Sequence, residues 1–227
     1  MPLNVESGEQ YWVYTVRPGD TIWHLTDKHC TSVLQWKRIQ RLNGIPDAPA
    51  RGLLPGTRIK FPVDILKHQP ASATVSVLQG DANVIKANGD KQAVTVNLEL
   101  QSGDRLQVGQ HSTVMVQFAD GSELLVLEGS DVVFDSLSAY GETGMVDTRI
   151  RLQSGQVDTR VKQRKGPGSR YEIITPAAVA AVRGTDFRVA ADSDRPVGRS
   201  EVLEGTVDVS GEGGSQRVPS GFGVLSE

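Results

Sequence analysis

A single cysteine, Cys30, stands in the whole sequence, so no disulfide can form within one chain and cysteine usage does not reveal the compartment. Histidine is scarce as well, four in all, with His24 and His29 beside the cysteine. Without a second cysteine, these do not complete a four-ligand zinc set, and no metal or cofactor is expected. Cys30 reads instead as a small buried apolar residue at a helix end. No apolar run approaches the roughly 18–20 residues needed to cross a bilayer. The start, Met1 to Gly8, has neither the basic nor the apolar region of a signal peptide. The chain is therefore either cytoplasmic or an exported chain whose leader has been removed. Aromatics are few, 12 against 24 glycines and 11 prolines, which favours many turns and thin layers over one thick core.

A dense basic stripe is also missing, which argues against nucleic acid as a partner. The charge is nevertheless split. Residues 1–67 carry nine Lys/Arg and six Asp/Glu, a balance of +3, whereas residues 68–227 carry 15 and 21, a balance of −6. The asymmetry suggests two units.

All three tryptophans, Trp12, Trp23 and Trp36, fall in the first of them. Tyr11 to Val16 alternates β-formers and ends in the turn Arg17-Pro18-Gly19-Asp20. Thr21 to His29 reads as a short helix with Ile22 and Leu25 inward; Trp23, from its place on this helix, belongs to the core or else is a stacking platform, and Asp20 and Thr21 are both candidate N-caps. Ser32 and Gln35 have the spacing of a capping box for a second helix, whose Val33, Trp36, Ile39 and Leu42 share one apolar face. Asn43-Gly44 stops that helix, with Gly44 suited to a left-handed C-cap. A stiff loop follows, and Thr57–Pro62 alternates as a closing strand. The expected order is strand, helix, helix, strand over residues 10–63, followed by a linker at 64–73.

From Ala73 onward the period becomes two. Short strands are expected at 73–78, 94–98, 113–118, 123–127, 131–134, 149–152, 157–161, 171–175, 187–190, 200–203 and 206–209. Asn88-Gly89 and Asp120-Gly121 are hairpin turns, and Gly155 reads as a break. Ala177–Val182 is the one candidate helix. Leu-Gln-Ser-Gly recurs at 100–103 and 152–155, and Leu-Glu-Gly at 127–129 and 203–205. Residues 74–227 thus read as an all-β domain, an elongated two-sheet β-solenoid or sandwich.

Three stretches of the first half, Tyr14–Trp23, Leu42–Pro46 and Leu54–Pro62, resemble in order the opening, middle and close of a LysM domain. The insertion Asp47–Gly52 and the segment His24-Leu25-Thr26 depart from the family pattern. The resemblance implies a small α+β (βααβ) module with a shallow groove for peptidoglycan or chitin-type oligosaccharide. Carried over by position, one wall is Gly19, Asp20, Thr21 and Ile22, and the other is Asn43, Gly44, Ile45 and Pro46. N-acetylglucosamine offers an amide donor, an amide acceptor and a methyl group; backbone near the two glycines can meet the first two, and Ile22 and Ile45 the third. Asp20 is read first as a cap, Gly19 and Gly44 are also explained by turns alone, and Trp12 belongs either to the core or to the groove rim.

The second half resembles a FecR-type domain through Ile174–Val189, with its Val182-Arg183-Gly184-Thr185 core, and through Phe118–Ser122, Leu152–Val157, Val202–Val207 and Pro219–Gly223. That family's namesakes relay a signal to a sigma factor through a cytoplasmic segment and a transmembrane helix. Here a LysM-like module stands in their place, so the resemblance implies a β-rich extracytoplasmic fold for protein contact or spacing. Arg183 pairs with a carboxylate such as Asp186 or binds an anion. The basic cluster Arg160, Lys162, Arg164, Lys165 and Arg170 is a solvated hairpin or an anionic wall contact.

The sequence lacks the parts of a wall hydrolase. The second half has no cysteine nucleophile, only His68 and His111, and no helical scaffold around a glutamate. Asp131, Asp135 and Asp158 read as turn and surface carboxylates. The expectation is a non-catalytic, exported cell-envelope or periplasmic protein that binds glycan, with an envelope protein as a partner of its β domain. The alternatives are an envelope regulator, and the non-catalytic part of a longer hydrolase or adhesin.

Overall fold

The computed structural model describes residues 10–46, 53–162, 166–182, 184–192 and 198–226. The insertion 47–52, Arg183, Arg164 and Lys165 lie outside the described residues. The chain divides into two packing units. The first holds residues up to Gln69 together with Tyr140–Met145 and 165–168; the second holds the remainder.

In the first unit, β1 (Tyr11–Thr15) pairs antiparallel with β2 (Arg58–Pro62), Tyr11 opposite Pro62 and Thr15 opposite Arg58. Between them lie α1 (Ile22–His29) and α2 (Trp36–Leu42), giving the expected βααβ order. A 3₁₀ turn, Val33–Gln35, leads into α2, and the capping box does not form. Ser32 Oγ accepts from the Leu34 amide at 3.3 Å, and Gln35 makes no side-chain cap bond, because the tight turn shifts the amides by one residue. The buried face is narrower than the sequence suggests: Ile39 and Gln40 are buried on α2, while Val33, Trp36 and Leu42 are half-exposed.

The segment expected as a linker begins inside this unit. Ile65 and Leu66 are buried, Leu66 bridges Cys30 in antiparallel fashion, and the Lys67 amide donates to the His29 carbonyl at 2.8 Å. Tyr140 and Met145 join Val16, Leu25, Ile39, Ile59 and Phe61 in the same apolar cluster. A short turn holds them in place: the Tyr140 amide donates to the Met145 carbonyl at 3.0 Å, and the Met145 amide donates to Thr143 Oγ1 at 3.1 Å.

The second unit is almost entirely β. The two-residue β3 (Gln69–Pro70) spans the division in the chain, and the strands of the second unit proper begin with β4 (Ala73–Gln79), β5 (Ala82–Ile85), β6 (Lys91–Ala93), β7 (Glu99–Leu100) and β8 (Arg105–Val108). There follow β9 (Thr113–Gln117), β10 (Glu123–Val126), β11 (Asp131–Ala139) and the long β12 (Val146–Arg160). The last are β13 (Arg170–Ile174), β14 (Ala178–Val182), β15 (Asp186–Ala191), β16 (Gly198–Glu204), β17 (Thr206–Gly211), β18 (Gly214–Pro219) and β19 (Gly223–Ser226).

They form two sheets that share β12. One runs β6-β5-β8-β11-β12-β13-β14-β17-β18, with β12 and β13 the parallel pair. The other runs β7-β4-β9-β10-β12-β15-β16-β19. Alternate residues of both sheets fill one core that includes Phe118, Phe134, Tyr171 and Phe187, with Phe118 and Tyr171 edge to face at 5.6 Å.

Several sequence expectations change here. Gly155 does not end a strand; β12 runs through it at φ +93°, passing from the first sheet to the second. A Cβ there would run into Ser130, whose Oγ bonds the Gln156 amide and carbonyl at 2.9 and 3.0 Å. The expected helix 177–182 is the strand β14, held between β13 and β17. Residues 94–98 form a turn after β6, not a strand. The two Leu-Gln-Ser-Gly fragments are not equivalent: 100–103 leads from β7 into a turn, and 152–155 lies within β12. Both expected hairpin turns are present, Asn88-Gly89 joining β5 to β6 and Asp120-Gly121 joining β9 to β10.

Candidate functional site

The first wall carried over from the sequence follows β1. The chain turns at Arg17–Asp20, where the Asp20 amide donates to the Arg17 carbonyl at 3.2 Å and Gly19 sits at φ +86°. Asp20 Oδ2 accepts from the Arg17 amide at 2.7 Å and from the Tyr14 hydroxyl at 2.8 Å. The Arg17 amide does most to hold the Asp20 carboxyl below its usual range. On Tyr14, partial burial and then the Asp20 contact push the phenol upward. Of the two cap candidates, Thr21 is the N-cap, with Oγ1 accepting from the His24 amide at 3.1 Å, and Asp20 closes the preceding turn. The amides of Ile22 and Trp23, in the first turn of α1, have no carbonyl four residues back inside the helix.

The second wall is the end of α2. Gly44, at φ +62°, donates from its amide to the Arg41 carbonyl at 3.2 Å, and the Ile45 amide donates to the Gln40 carbonyl at 3.0 Å. Those two bonds are a Schellman cap, which a residue with a Cβ would strain by about 1–2 kcal/mol. Asn43 is wholly committed to the fold. Its Nδ2 donates to the Ile39 and Lys60 carbonyls at 2.7 and 2.9 Å, and its Oδ1 accepts from the Lys60 amide at 2.8 Å. The Pro46 carbonyl accepts from Gln40 Nε2 at 2.7 Å.

These bonds leave a specific set of groups for a ligand. Asp20 and Asn43 shape the two loops with their side chains, and the amides of Gly44 and Ile45 are used in the cap. What remains includes the amides of Ile22 and Trp23, the carbonyl of Gly44, and the half-exposed side chains of Ile22 and Ile45, which both pack on the unit's core. Gly19 and Gly44 are exposed, and among the described residues no atom beyond their chain neighbours lies within 4 Å of where a Cβ would stand on either.

The aromatics sort differently from expectation. Trp23 is not core; it is 50% exposed, because Ile22, Leu25, Thr26 and His29 make the inward face of α1. Its ring lies 6.5 Å from that of Trp36, over which the Lys37 ammonium stands 5.6 Å from the ring centre. Periodicity from Ile22 places Trp23 about 100° around the helix, off the inward face. Trp12 is half-buried in a cluster with His29 at 4.9 Å, Phe61 at 5.5 Å and Tyr14 at 5.6 Å. His29 is thus enclosed by aromatic rings, and burial lowers its pKa. Cys30 is buried at the end of α1, where desolvation pushes its thiol up to about 11. No cluster of three or more His, Cys, Asp or Glu suited to a metal occurs among the described residues.

In the second unit, the carboxylates singled out from sequence each meet an arginine. Arg105 grips Asp131 at 2.7 and 2.5 Å, Arg151 holds Asp135 at 2.8 Å, and Arg188 binds Asp158 at 2.8 and 2.9 Å. Burial raises the Asp131 carboxyl, but Arg105 and Gln107 outweigh it and hold it low. Asp186, suggested as the partner of Arg183, accepts from Arg160 Nε at 3.2 Å. Arg170 pairs with Glu172. The pairs made by Arg105, Arg151, Arg160 and Arg188 lie across neighbouring strands and brace the sheets, whereas Arg170 and Glu172 share β13.

No helix among the described residues is long and apolar enough to cross a membrane. No curated protein matches the chain. Two crystal structures of a candidate anti-sigma factor from Parabacteroides distasonis ATCC 8503 are similar to it at 17% and 16% identity, with TM-scores of 0.44 and 0.45. Each likeness spans 53% of this chain and 53% of the other, about half of either. Two family models match, the LysM domain at residues 14–62 and the FecR protein at residues 104–208, both non-catalytic domain families. The chain therefore joins a LysM domain to a FecR-type domain, in that order.

Proposed function

We propose that this chain is a non-catalytic, exported envelope protein that holds on to N-acetylglucosamine-containing glycan, peptidoglycan in particular. Its slot lies between Gly19–Ile22 and Asn43–Pro46, and its β unit is a scaffold or protein-docking surface. The observation that carries the reading is the pair of open glycines. At Gly19 and Gly44 the backbone is exposed, with no described residue filling the space above it, and Ile22 and Ile45 follow close by in the chain. An acetamido group needs a donor for its carbonyl, an acceptor for its N–H and an apolar contact for its methyl. The α1 amides, the Gly44 carbonyl and the two isoleucines supply one of each. A site of this size binds weakly, and retention grows through the repeats of the glycan.

The test is sedimentation of the full chain with purified peptidoglycan, alongside Gly44→Asn. Asparagine tolerates the left-handed conformation, so the cap survives while a side chain enters the slot. The wild type is expected in the pellet and the variant in the supernatant, with the variant still melting in one cooperative transition well above the assay temperature, lowered by no more than about 1 kcal/mol of cap strain. Equal pelleting of both, or no pelleting of either, refutes the assignment.

A further inference from the structure

The aromatic surface beside this slot deepens the proposal above, and it rests on that reading. Trp23 keeps half its surface in water although it stands in a helix that packs on the core with its other face. Trp36, half-buried, lies against it at 6.5 Å with the rings tilted by 53°, a geometry that fixes the Trp23 indole. The Lys37 ammonium stands 5.6 Å from the centre of the Trp36 ring. Its neighbours are already spent: Lys28 pairs with Glu142 at 2.6 Å and Arg38 with Asp64 at 2.9 Å. No carboxylate lies within ion-pair reach of Lys37 among the described residues.

We propose that Trp23, braced by Trp36 and flanked by the Lys37 ammonium, is a second glycan contact selective for strands that carry carboxylates. Trp23 stands about 100° around α1 from Ile22, so the contact proposed is with sugars that extend past the slot onto the outward face of that helix. A pyranose ring has an apolar C–H face that stacks on an aromatic plane, much as nucleobases do. Lys37 then meets an anion. The peptide stems of peptidoglycan end in carboxylates, whereas chitin has none, and the balance of +3 over residues 1–67 favours the acidic polymer. The slot recognises the sugar that the two polymers share. The platform tells them apart.

Titration calorimetry of the full chain with a soluble muropeptide dimer and with chitotetraose tests this. Trp23→Ala is expected to weaken both ligands about tenfold, an effect of the size seen for aromatic contacts, and Trp23→Phe to recover part of the loss. Lys37→Gln is expected to weaken the muropeptide several-fold more than chitotetraose. Raised salt and amidation of the stem carboxylates should shrink that difference. If Lys37→Gln weakens both ligands alike, or if Trp23→Ala binds as the wild type does while Gly44→Asn fails, the platform is refuted and the slot stands. If the wild type binds neither ligand, both proposals fall.

Discussion

Met145→Ala offers a direct test of how the first unit is built. The Met145 side chain is fully buried in that unit's apolar cluster, although it lies more than eighty residues beyond β2 in the chain. The glycines at 166 and 168 run against it so closely that a Cβ on either would stand 3.0 or 3.1 Å from its sulfur. The surroundings therefore leave little room to collapse, and truncation leaves a cavity. Met→Ala changes in such settings cost about 2–5 kcal/mol, and about 3 kcal/mol is expected here. A unit of this size has a total stability of only roughly 4–11 kcal/mol. The midpoint should fall by about 12–24 °C, at some 4–8 °C per kcal/mol. The assay is simple, because all three tryptophans, Trp12, Trp23 and Trp36, belong to this unit. Tryptophan fluorescence thus follows its melting while far-ultraviolet dichroism is dominated by the strands of the other. Met145→Leu, which nearly conserves volume, should lose less than about 1.5 kcal/mol. A fluorescence midpoint for Met145→Ala within about 2 °C of wild type would refute the reasoning, since so small a shift is far below that of an emptied core position.

Asn43→Ala removes three hydrogen bonds and leaves two Lys60 backbone groups without partners; it should cost about 2–3 kcal/mol, read by the same fluorescence melt. Asp20 has a depressed folded pKa, so its contribution is present above the ordinary carboxylate value and lost as pH falls through the lower folded value. The wild type should accordingly lose first-unit stability below about pH 4 more steeply than Asp20→Asn, as measured by melts between pH 6 and about pH 2. Gly155→Ala should destabilise the second unit by about 2 kcal/mol or more, through its clash with Ser130 and the strained φ, seen as a lower dichroism midpoint with fluorescence unchanged.

Much of the first unit is legible in its sequence because its punctuation is chemical. Asn43-Gly44 marks the Schellman cap, Arg17-Pro18-Gly19-Asp20 marks the turn, and the alternation of Arg58–Pro62 marks β2. The role of Asn43 is not legible, since its partner Lys60 is 17 residues away and a side-chain bond at that range leaves no periodic trace. The exposure of Trp23 is not plain either, since its place on a short helix suggests the core, whereas the inward face of that helix is made by Leu25, Thr26 and His29. In the second unit the strong turns Asn88-Gly89 and Asp120-Gly121 are plain, but Ala82–Ile85 and Arg105–Val108 are four-residue strands, too short for alternation to stand out. Ala178–Val182 carries three alanines, good helix formers, and pairing on both edges overrides that preference. Tyr140 and Met145 could not have been assigned to the first unit by any local pattern, because their neighbours there come from residues 16–66.

The fifteen residues of β12 have a consequence for how the second unit opens. Its amides and carbonyls serve four neighbours, β11 and β13 in one sheet, β10 and β15 in the other. Edge strands such as β18 and β19 can fray singly, each releasing one partner. Freeing β12 requires both layers to come apart together. In deuterated solvent, protection should rise inward from the edges and reach its ceiling along Ile150, Leu152 and Val157, whose amides exchange only when the entire β unit unfolds at once.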